Sequence, residues 1–207
     1  MSFRQLFSPR ARLAAGAVLL LATGACFSKR VTRIEPNAVT DLSGRWNDTD
    51  SRLVAKQLVE QTLAAGWAKR YTDLHGGEAP TVIVGAFVNR TMEHIQVGTF
   101  VKDIEKALIT TGAARVVASS GERQGLRDER TDQQQYARAD TRARPGQEWG
   151  ARYALTGELQ AIEDVDGRER VVFYQIDASL VDLETNTKVW VGQHKIKKYV
   201  ERARFGL

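Results

Sequence analysis

The last third of the chain alternates apolar and polar residues with a period of two, and this pattern constrains the fold more than any other feature of the sequence. Asp166-Gly167 and the run at 184–187 are turn sequences that divide it into three segments. Three successive strands joined by tight turns form an antiparallel meander. The apolar residues on one face are Tyr153, Leu155, Leu159 and Ala161, then Val172, Tyr174, Ile176, Ala178 and Leu180, then Trp190 in the last strand at 188–199.

Helical spacing precedes this meander. An apolar stripe predicts a helix over 48–71, and a second amphipathic helix carries Val97 on its apolar face and is capped by Gly112. Residues 81–88 have the composition of a central buried strand, and residues 115–118 of a short one. Residues 119–148 are polar, and we expect solvated helix around 120–142. The chain is therefore predicted to be α+β, with a single, mostly antiparallel sheet of about four to five strands and helices packed on it. The apolar stripe of the helix predicted over 48–71 consists of Val54, Ala55, Leu58, Val59, Leu63 and Trp67.

The first 25 residues have the order of a secretory signal. Three arginines and no acid precede an apolar run at 13–22, which is too short to span a bilayer. Gly24 and Ala25 stand directly before Cys26, the only cysteine, so no disulfide can form within the chain. We expect a lipoprotein signal peptide at 1–25 and a covalent lipid on Cys26; the alternative is an ordinary secreted protein with a chance cysteine.

Two regions follow the signal. Residues 26–46 are predicted to be the lipidated cysteine and a short flexible tether, and 47–207 a single globular domain. About 20 residues reach roughly 70 Å when fully extended. Several acyl chains hold a protein stably on a lipid bilayer. Phe27, rather than Asp, follows the cysteine, which favours the outer membrane, with the domain facing the periplasm.

No arrangement of residues points to catalysis. His75, His94 and His194 lie in separate segments without metal-ligand spacing, and no phosphate-binding or nucleophile motif occurs. The formal charge of +5 falls to +2 without the leader, since 27 basic residues then face 25 acidic ones. A charge that small predicts nothing about partners. Export of the chain argues against nucleic acid as a partner. We expect a monomer that is not an enzyme, with no catalytic residue, no metal and no cofactor beyond the lipid on Cys26.

Four segments resemble a known family. They are DLSGRWNDTDS at 41–51, VGAFVNRTMEHI at 84–95, DERTDQQ at 128–134, and the hairpin at 173–190. In this order, and over about residues 40–200, they resemble the LpoB family, outer-membrane lipoproteins that activate class A penicillin-binding proteins. The resemblance implies a fold like the amino-terminal domain of TolB. It also implies a non-catalytic role: docking on a bifunctional peptidoglycan synthase and stimulating its glycan polymerisation and crosslinking.

The tether departs from the pattern of that family. Well-known members carry a long, proline-rich tether that crosses the periplasm, whereas Pro36 is the only proline between Cys26 and Trp46. A second interpretation therefore stays open. The chain would be an envelope assembly or secretion lipoprotein related to the curli-secretion type, acting as a structural or interaction module.

The candidate partner-binding residues fall in three places, and each has a structural alternative. A loop at the end of a buried strand is a common site of function, but its polar side chains also satisfy backbone amides. The segment before the first helix could meet a partner or pack through Trp46. The polar helix could dock electrostatically or be a solvated face. The candidates are Arg45, Asn89, Arg90, Glu93, His94, Arg127 and Arg130.

Overall fold

The structure, a computed structural model, describes residues 31–201. The chain divides into two compact units, one ending at Ala38 and the other beginning at Val39. In the first unit the described residues form no helix or strand, and the Ala38 N–H donates a 2.9 Å hydrogen bond to the Glu35 carbonyl. The second unit begins within the segment that the sequence assigned to the tether, so residues 39–46 are part of it.

The second unit is one sheet with helices. Its strands follow the order β2-β1-β3-β4-β5. Strand β1 runs parallel to β2 and β3, while β3, β4 and β5 are antiparallel neighbours. The predicted α+β class with a single sheet is confirmed. The elements of the described residues are α1 Asp48–Ala64, α2 Trp67–Leu74, β1 Thr81–Asn89, α3 Gly98–Thr110, β2 Arg115–Val117, α4 Ser120–Tyr136, β3 Tyr153–Asp166, β4 Glu169–Asp182 and β5 Lys188–Glu201.

The predicted meander is confirmed. Strand β4 lies between β3 and β5 along its whole length, and its even-numbered residues from Val172 to Leu180 are buried. Gly167 (φ +55°) and Asn186 (φ +58°) occupy the two turns, where the left-handed backbone favours these residue types. Each fully buried aliphatic or aromatic side chain stabilises the fold by about 1.5–3 kcal/mol. The alternating face therefore fixes the register of the sheet.

Helices α1 and α3 cover that face. Helix α1 packs against β5, and α3 packs against α1, β1 and β2. The ring of Phe100 lies 5.6 Å from that of Phe87, edge to face. The most deeply buried side chains of this core include Val54, Leu58, Val82, Phe100, Ile104, Leu108, Leu159, Val172, Tyr174, Ile176 and Leu180.

The prediction of a single helix over 48–71 is wrong, because the chain forms two helices there with a break after Ala64. Helix α1 ends at Ala64 and α2 begins at Trp67, because Gly66 between them adopts the left-handed conformation (φ +67°). The break lets Trp67 turn inward, where its ring lies 5.7 Å from Tyr153 and its Nε1–H donates to Thr62 at 3.1 Å. In the sequence, Trp67 has the spacing expected of the next residue in the apolar stripe of a continuous helix. The stripe therefore did not reveal the break at Gly66.

Helix α4 confirms the solvated helix predicted in the polar region, although it ends at Tyr136 rather than near 142. None of its residues is buried. A capping box starts it: the Ser119 hydroxyl accepts from the Glu122 N–H, and the Glu122 carboxylate accepts from the Ser119 N–H. Within residues 31–201 no helix is long and apolar enough to cross a membrane.

Candidate functional site

The loop after β1 is built around Asn89. Its side-chain oxygen accepts hydrogen bonds from the Thr91 N–H at 2.9 Å and the Thr91 hydroxyl at 2.8 Å. Its side-chain amide donates to the Glu93 carbonyl at 2.7 Å. The Asn-Arg-Thr sequence therefore closes a compact turn, and the amide of Asn89 is used within the loop. The same turn holds Glu93 and His94 in fixed positions at the end of the sheet.

Glu93 points inward from this loop and contacts two other parts of the fold, strand β4 and the segment ahead of α1. One carboxylate oxygen accepts a 2.7 Å hydrogen bond from the Tyr174 hydroxyl on β4, and the other accepts the Trp46 N–H at 3.1 Å. Arg170 on β4 lies 3.5 Å away. Only 18% of the Glu93 side chain is exposed. The Glu93 carboxylate therefore holds parts of the fold together.

Residues 41–46, which we call the strap, lie against the domain ahead of α1. The ring of Trp46 lies 5.3 Å from Tyr174 and 6.3 Å from Phe100. The Lys198 ammonium donates to the Arg45 carbonyl at 3.1 Å and lies 3.2 Å from the Asp41 carboxylate. These contacts place Trp46 in the packing role that the sequence allowed, and they leave the Arg45 side chain exposed.

A groove of about 700 Å³ opens between the strap, the β1–α3 loop and the β3–β4 turn. We call it the strap groove. Three of its residues are apolar and largely exposed: Leu42 (93%), Met92 (103%) and Val165 (59%). Each comes from a different one of these three segments. The folding of the chain thus assembles an exposed apolar cluster from positions that are far apart in the sequence.

The charged residues of the strap groove differ in whether they have partners. Arg170 forms ion pairs with two acids, with Glu163 at 2.5 Å and with Glu93 at 3.5 Å. The third acid, Glu169, accepts a hydrogen bond from the Tyr199 hydroxyl. Burial first and this contact second raise the pKa of Tyr199. Within residues 31–201 the side chains of Arg45 and Arg168 form no hydrogen bond or ion pair. The groove as a whole carries no net charge, since Arg45, Arg168 and Arg170 face an equal number of glutamates.

Three of the seven candidate residues come together here. Arg45, Glu93 and His94 line the strap groove. His94 is exposed and contacts Gln96 at 2.7 Å. Arg90 is exposed at the end of β1, and its guanidinium lies 4.0 Å from Glu158.

Arg127 and Arg130 lie apart from the groove, on α4. Both bind the carboxylate of Glu148, at 2.8 Å and 2.7 Å respectively. Hydrogen bonds from Arg127 first and Arg130 second lower the pKa of Glu148 to about 2. Next to it, Trp149 stacks on the Arg115 guanidinium, 3.8 Å from the ring centre. We call the Glu148 pairing the α4 clamp; it holds the segment before β3 against the helix.

Among the groove residues that were not candidates from the sequence are Leu42, Met92, Val165 and Arg168. A local signal existed for two of them, because Met92 stands between Thr91 and Glu93 and Val165 between Asp164 and Asp166. An apolar residue within a polar turn has no core to enter and is a candidate contact. Leu42 and Arg168 gave no comparable signal. Within the described part of the chain no group of three His, Cys, Asp or Glu residues could hold a metal ion. Cys26 lies outside the described residues.

The family model of the peptidoglycan-synthase activator LpoB matches residues 50–196. No curated protein sequence matches the chain. Among solved structures, the chain is similar to the Salmonella enterica LpoB C-terminal domain, with 15% identity, 65% of this chain and 95% of that chain covered, and a TM-score of 0.33. It is similar to Escherichia coli LpoB, with 11% identity, 87% of each chain covered and a TM-score of 0.37. It is also similar to the Neisseria meningitidis lipoprotein GNA1162, with 16% identity, 58% of this chain and 83% of that chain covered, and a TM-score of 0.37. The assignment rests on the family model, which spans most of the chain and runs from α1 to β5: the chain belongs to the peptidoglycan-synthase activator LpoB family.

Proposed function

We propose that this chain is an outer-membrane lipoprotein whose periplasmic domain binds a class A penicillin-binding protein and stimulates peptidoglycan synthesis. The observation that carries the proposal is the family match over residues 50–196. That range contains the β1–α3 loop and the β3–β4 turn, two of the three segments of the strap groove. The family acts by activation rather than by catalysis, and we extend that role to this chain.

Activation by docking needs only a difference in affinity. A protein that binds the more active state of a synthase better than the less active state shifts the population toward activity. A coupling of about 1–3 kcal/mol corresponds to a shift of about 5- to 150-fold. A preformed surface suits this role, because little ordering entropy is lost when it binds. The strap and the β1–α3 loop are held by Glu93 and Lys198 in this way.

A non-catalytic role also agrees with the chemistry of the strap groove. Its acids Glu93 and Glu163 are engaged with Arg170, and Glu93 is bonded to Tyr174 as well. A general acid or base must be free to exchange a proton with a bound substrate. These carboxylates instead serve the fold.

The anchor of the proposed lipoprotein is the acylated Cys26. About 12 residues separate it from Val39, where the compact unit begins. A chain of that length reaches at most about 45 Å. This short reach favours a second candidate function, an assembly or secretion module that works close to its own membrane. The two functions differ in their partner and share the docking chemistry.

The test is reconstitution with the full-length chain, purified in detergent. It is added to each purified class A penicillin-binding protein of its host, and glycan-chain synthesis from lipid II is measured beside direct binding. We expect micromolar or tighter binding to one synthase and a several-fold rise in its rate. Absence of binding to all of them, with a folded protein, would refute the activator role and leave the second candidate.

A further inference from the structure

We infer that the free edge of strand β5 pairs with the same edge of a second copy of this chain, antiparallel and about a two-fold axis at Lys198. The sequence favoured a monomer, and the position of β5 in the sheet revises that expectation. The inference goes beyond the proposed function and does not depend on it, because it concerns contacts between two copies of the chain.

Strand β5 is a long edge strand. The sheet order ends with β5, so only β4 pairs with it, whereas the strand at the opposite edge, β2, has three residues. An edge strand presents backbone N–H and C=O groups to which another chain can add a strand, and very short edges limit this. With 14 residues, β5 is the edge at which the sheet can be extended.

The outward-facing backbone groups of β5 are identified by Gln193. Its N–H donates to the Gln61 side chain at 3.1 Å and its C=O accepts from the same side chain at 2.9 Å, so both point away from β4. These groups alternate along an antiparallel strand, and the β4–β5 register is continuous here, so those of Lys195, Lys197 and Tyr199 point outward as well. Among the described residues they have no hydrogen-bond partner. Gln61 thus closes the edge at Gln193 and leaves residues 195–201, which we call the β5 edge segment, open.

The exposed face of the β5 edge segment complements itself in one antiparallel register. With the axis at Lys198, Lys195 lies opposite Glu201 of the second copy, and Lys197 lies opposite its Tyr199. Lys195, Lys197 and Glu201 are exposed and form no ion pair within residues 31–201, and 59% of Tyr199 is exposed. Opposite charges and cation–ring contacts between facing side chains stabilise strand pairs. The two-fold axis forms each contact twice.

The core face of the β5 edge segment fits the same register. Ile196, which packs against the core, lies opposite Val200 of the second copy, so two apolar side chains meet. Lys198 lies beside its symmetry mate on the axis. The two ammonium groups are already compensated, because each lies 2.6 Å from Asp50 and 3.2 Å from Asp41 of its own chain. The strap forms no backbone hydrogen bond with β5 in the described part of the chain.

The lysines of this edge select the register. Edge lysines protect a sheet from pairing when they meet like charges. An axis at Lys197 would place this lysine opposite itself, which is unfavourable, and would set Glu201 against the closed edge at Gln193. An axis at Tyr199 would remove Lys195 from Glu201 and place Lys198 opposite Val200. The axis at Lys198 alone gives every charged residue of the exposed face a favourable neighbour.

The experiment measures self-association of the full-length chain in detergent by sedimentation equilibrium. Lys195→Glu and Glu201→Lys each place like charges opposite one another in both halves of the dimer, so we expect either to weaken dimerisation about tenfold or more. The double variant Lys195→Glu/Glu201→Lys restores opposite charges and should dimerise about as strongly as wild type. Lys188→Glu is the matched control, because Lys188 is an exposed residue of β5 outside the β5 edge segment, and this change should leave dimerisation unaltered.

The charge variants should keep their fold, which circular dichroism and thermal melting verify. Within one chain Lys195 faces the uncharged Gln175 on β4, and Glu201 faces Glu169, so neither reversal creates a like-charge pair directly opposite. Lys197→Pro tests the backbone contribution. Proline removes an outward N–H without removing a hydrogen bond to β4, so it should abolish the dimer in a chain that stays folded.

The outcomes decide both the dimer and its register. A wild-type chain that stays monomeric overturns the inference. Equal association of wild type and all variants also overturns it, because a shared micelle or another surface would then hold the copies together. A double variant as weak as the single reversals would show that residues 195 and 201 do not face each other, and the proposed register would be rejected.

Discussion

The carboxylate of Glu93 accepts a 2.7 Å hydrogen bond from the hydroxyl of Tyr174, although the two residues are 81 positions apart in the sequence. Tyr174 is completely buried, and its pKa is raised by burial first and by this contact second. The other Glu93 oxygen accepts the Trp46 N–H. One side chain thus joins the strap, the β1–α3 loop and the central strand of the meander.

Replacing Glu93 by Ala should therefore destabilise the fold. The change leaves the Tyr174 hydroxyl and the Trp46 N–H without an acceptor, and each unsatisfied buried group costs about 1–3 kcal/mol. We expect a loss of about 2–4 kcal/mol in the free energy of unfolding, measured by urea denaturation. Glu93→Gln keeps an acceptor oxygen, so its free energy of unfolding should fall by less than that of Glu93→Ala. In a double-mutant cycle, Tyr174→Phe should cost less in the Glu93→Ala background than in wild type; strictly additive effects would contradict the proposed contact.

Lys198 and Asp50 form an ion pair at 2.6 Å beneath the strap, with 13% and 4% of their side chains exposed. Lys198→Met removes the only cation bonded to Asp50 among the described residues and leaves a buried carboxylate. We expect a loss of about 3 kcal/mol in unfolding free energy. Lys197→Met is the matched control: this neighbour is exposed, and its removal should change stability by no more than about 0.5 kcal/mol. Equal effects of the two substitutions would show that the pair does not stabilise the fold.

Gly157 lies where β3 passes close to both of its neighbours. A Cβ there would come within 2.5 Å of the Phe87 ring and 2.6 Å of the Asp177 carbonyl oxygen. Because backbone cannot yield as a flexible side chain does, Gly157→Ala should destabilise the domain by about 1–3 kcal/mol or prevent it from folding. Gly125→Ala on α4 meets nothing within 4 Å and should be neutral or stabilise the helix by up to about 1 kcal/mol. Thermal unfolding of both variants tests the difference, and a neutral Gly157→Ala would be inconsistent with the close approach.

The local patterns of the sequence predicted those elements whose residues face one core. The alternation in β4 and the stripe of α3 record burial directly, so period alone located them. The break at Gly66 stayed hidden, because a single glycine does not disrupt an apolar stripe. The parallel pairing of β1 with both β2 and β3 also stayed hidden, since it depends on contacts between distant segments.

The strap groove could not be predicted from local sequence patterns either, because it is formed by segments that are distant in the sequence. Arg45 was a candidate from its position before the first helix, and Glu93 and His94 from theirs in a loop after a buried strand. The sequence could not tell the buried role of Glu93 from the exposed one of His94. The partners of Glu93 are Trp46 and Tyr174, which lie 47 and 81 residues away in the sequence. Leu42 and Arg168 acquire significance only when folding brings the strap beside the β3–β4 turn.

Helix α4 depends on electrostatic contacts, because none of its residues is buried. Hydrogen bonds from Lys102 and then Ser119 lower the pKa of Glu122 to about 2, and the α4 clamp does the same for Glu148. The folded-state pKa of each acid lies below its ordinary value of 4.5. Their contribution is therefore complete above about pH 4.5 and is lost as the pH falls through about 2. We expect NMR signals of the Glu148 carboxyl carbon to titrate near pH 2, together with amide shifts along α4.

Glu148→Gln should reproduce the acid state of the α4 clamp at neutral pH. The variant loses the charge that Arg127 and Arg130 share, so α4 should open more often while the core of the domain keeps its stability. Hydrogen exchange at pH 7 should become faster in α4 and stay unchanged in α1, whose inner face is buried against the sheet. Asp140→Asn is the matched control, since among the described residues this acid pairs only with Arg138, beyond the end of the helix. If exchange in α4 were the same in Glu148→Gln as in wild type, the clamp would not be what holds the helix. Equal acceleration in Asp140→Asn would assign the effect to net charge instead.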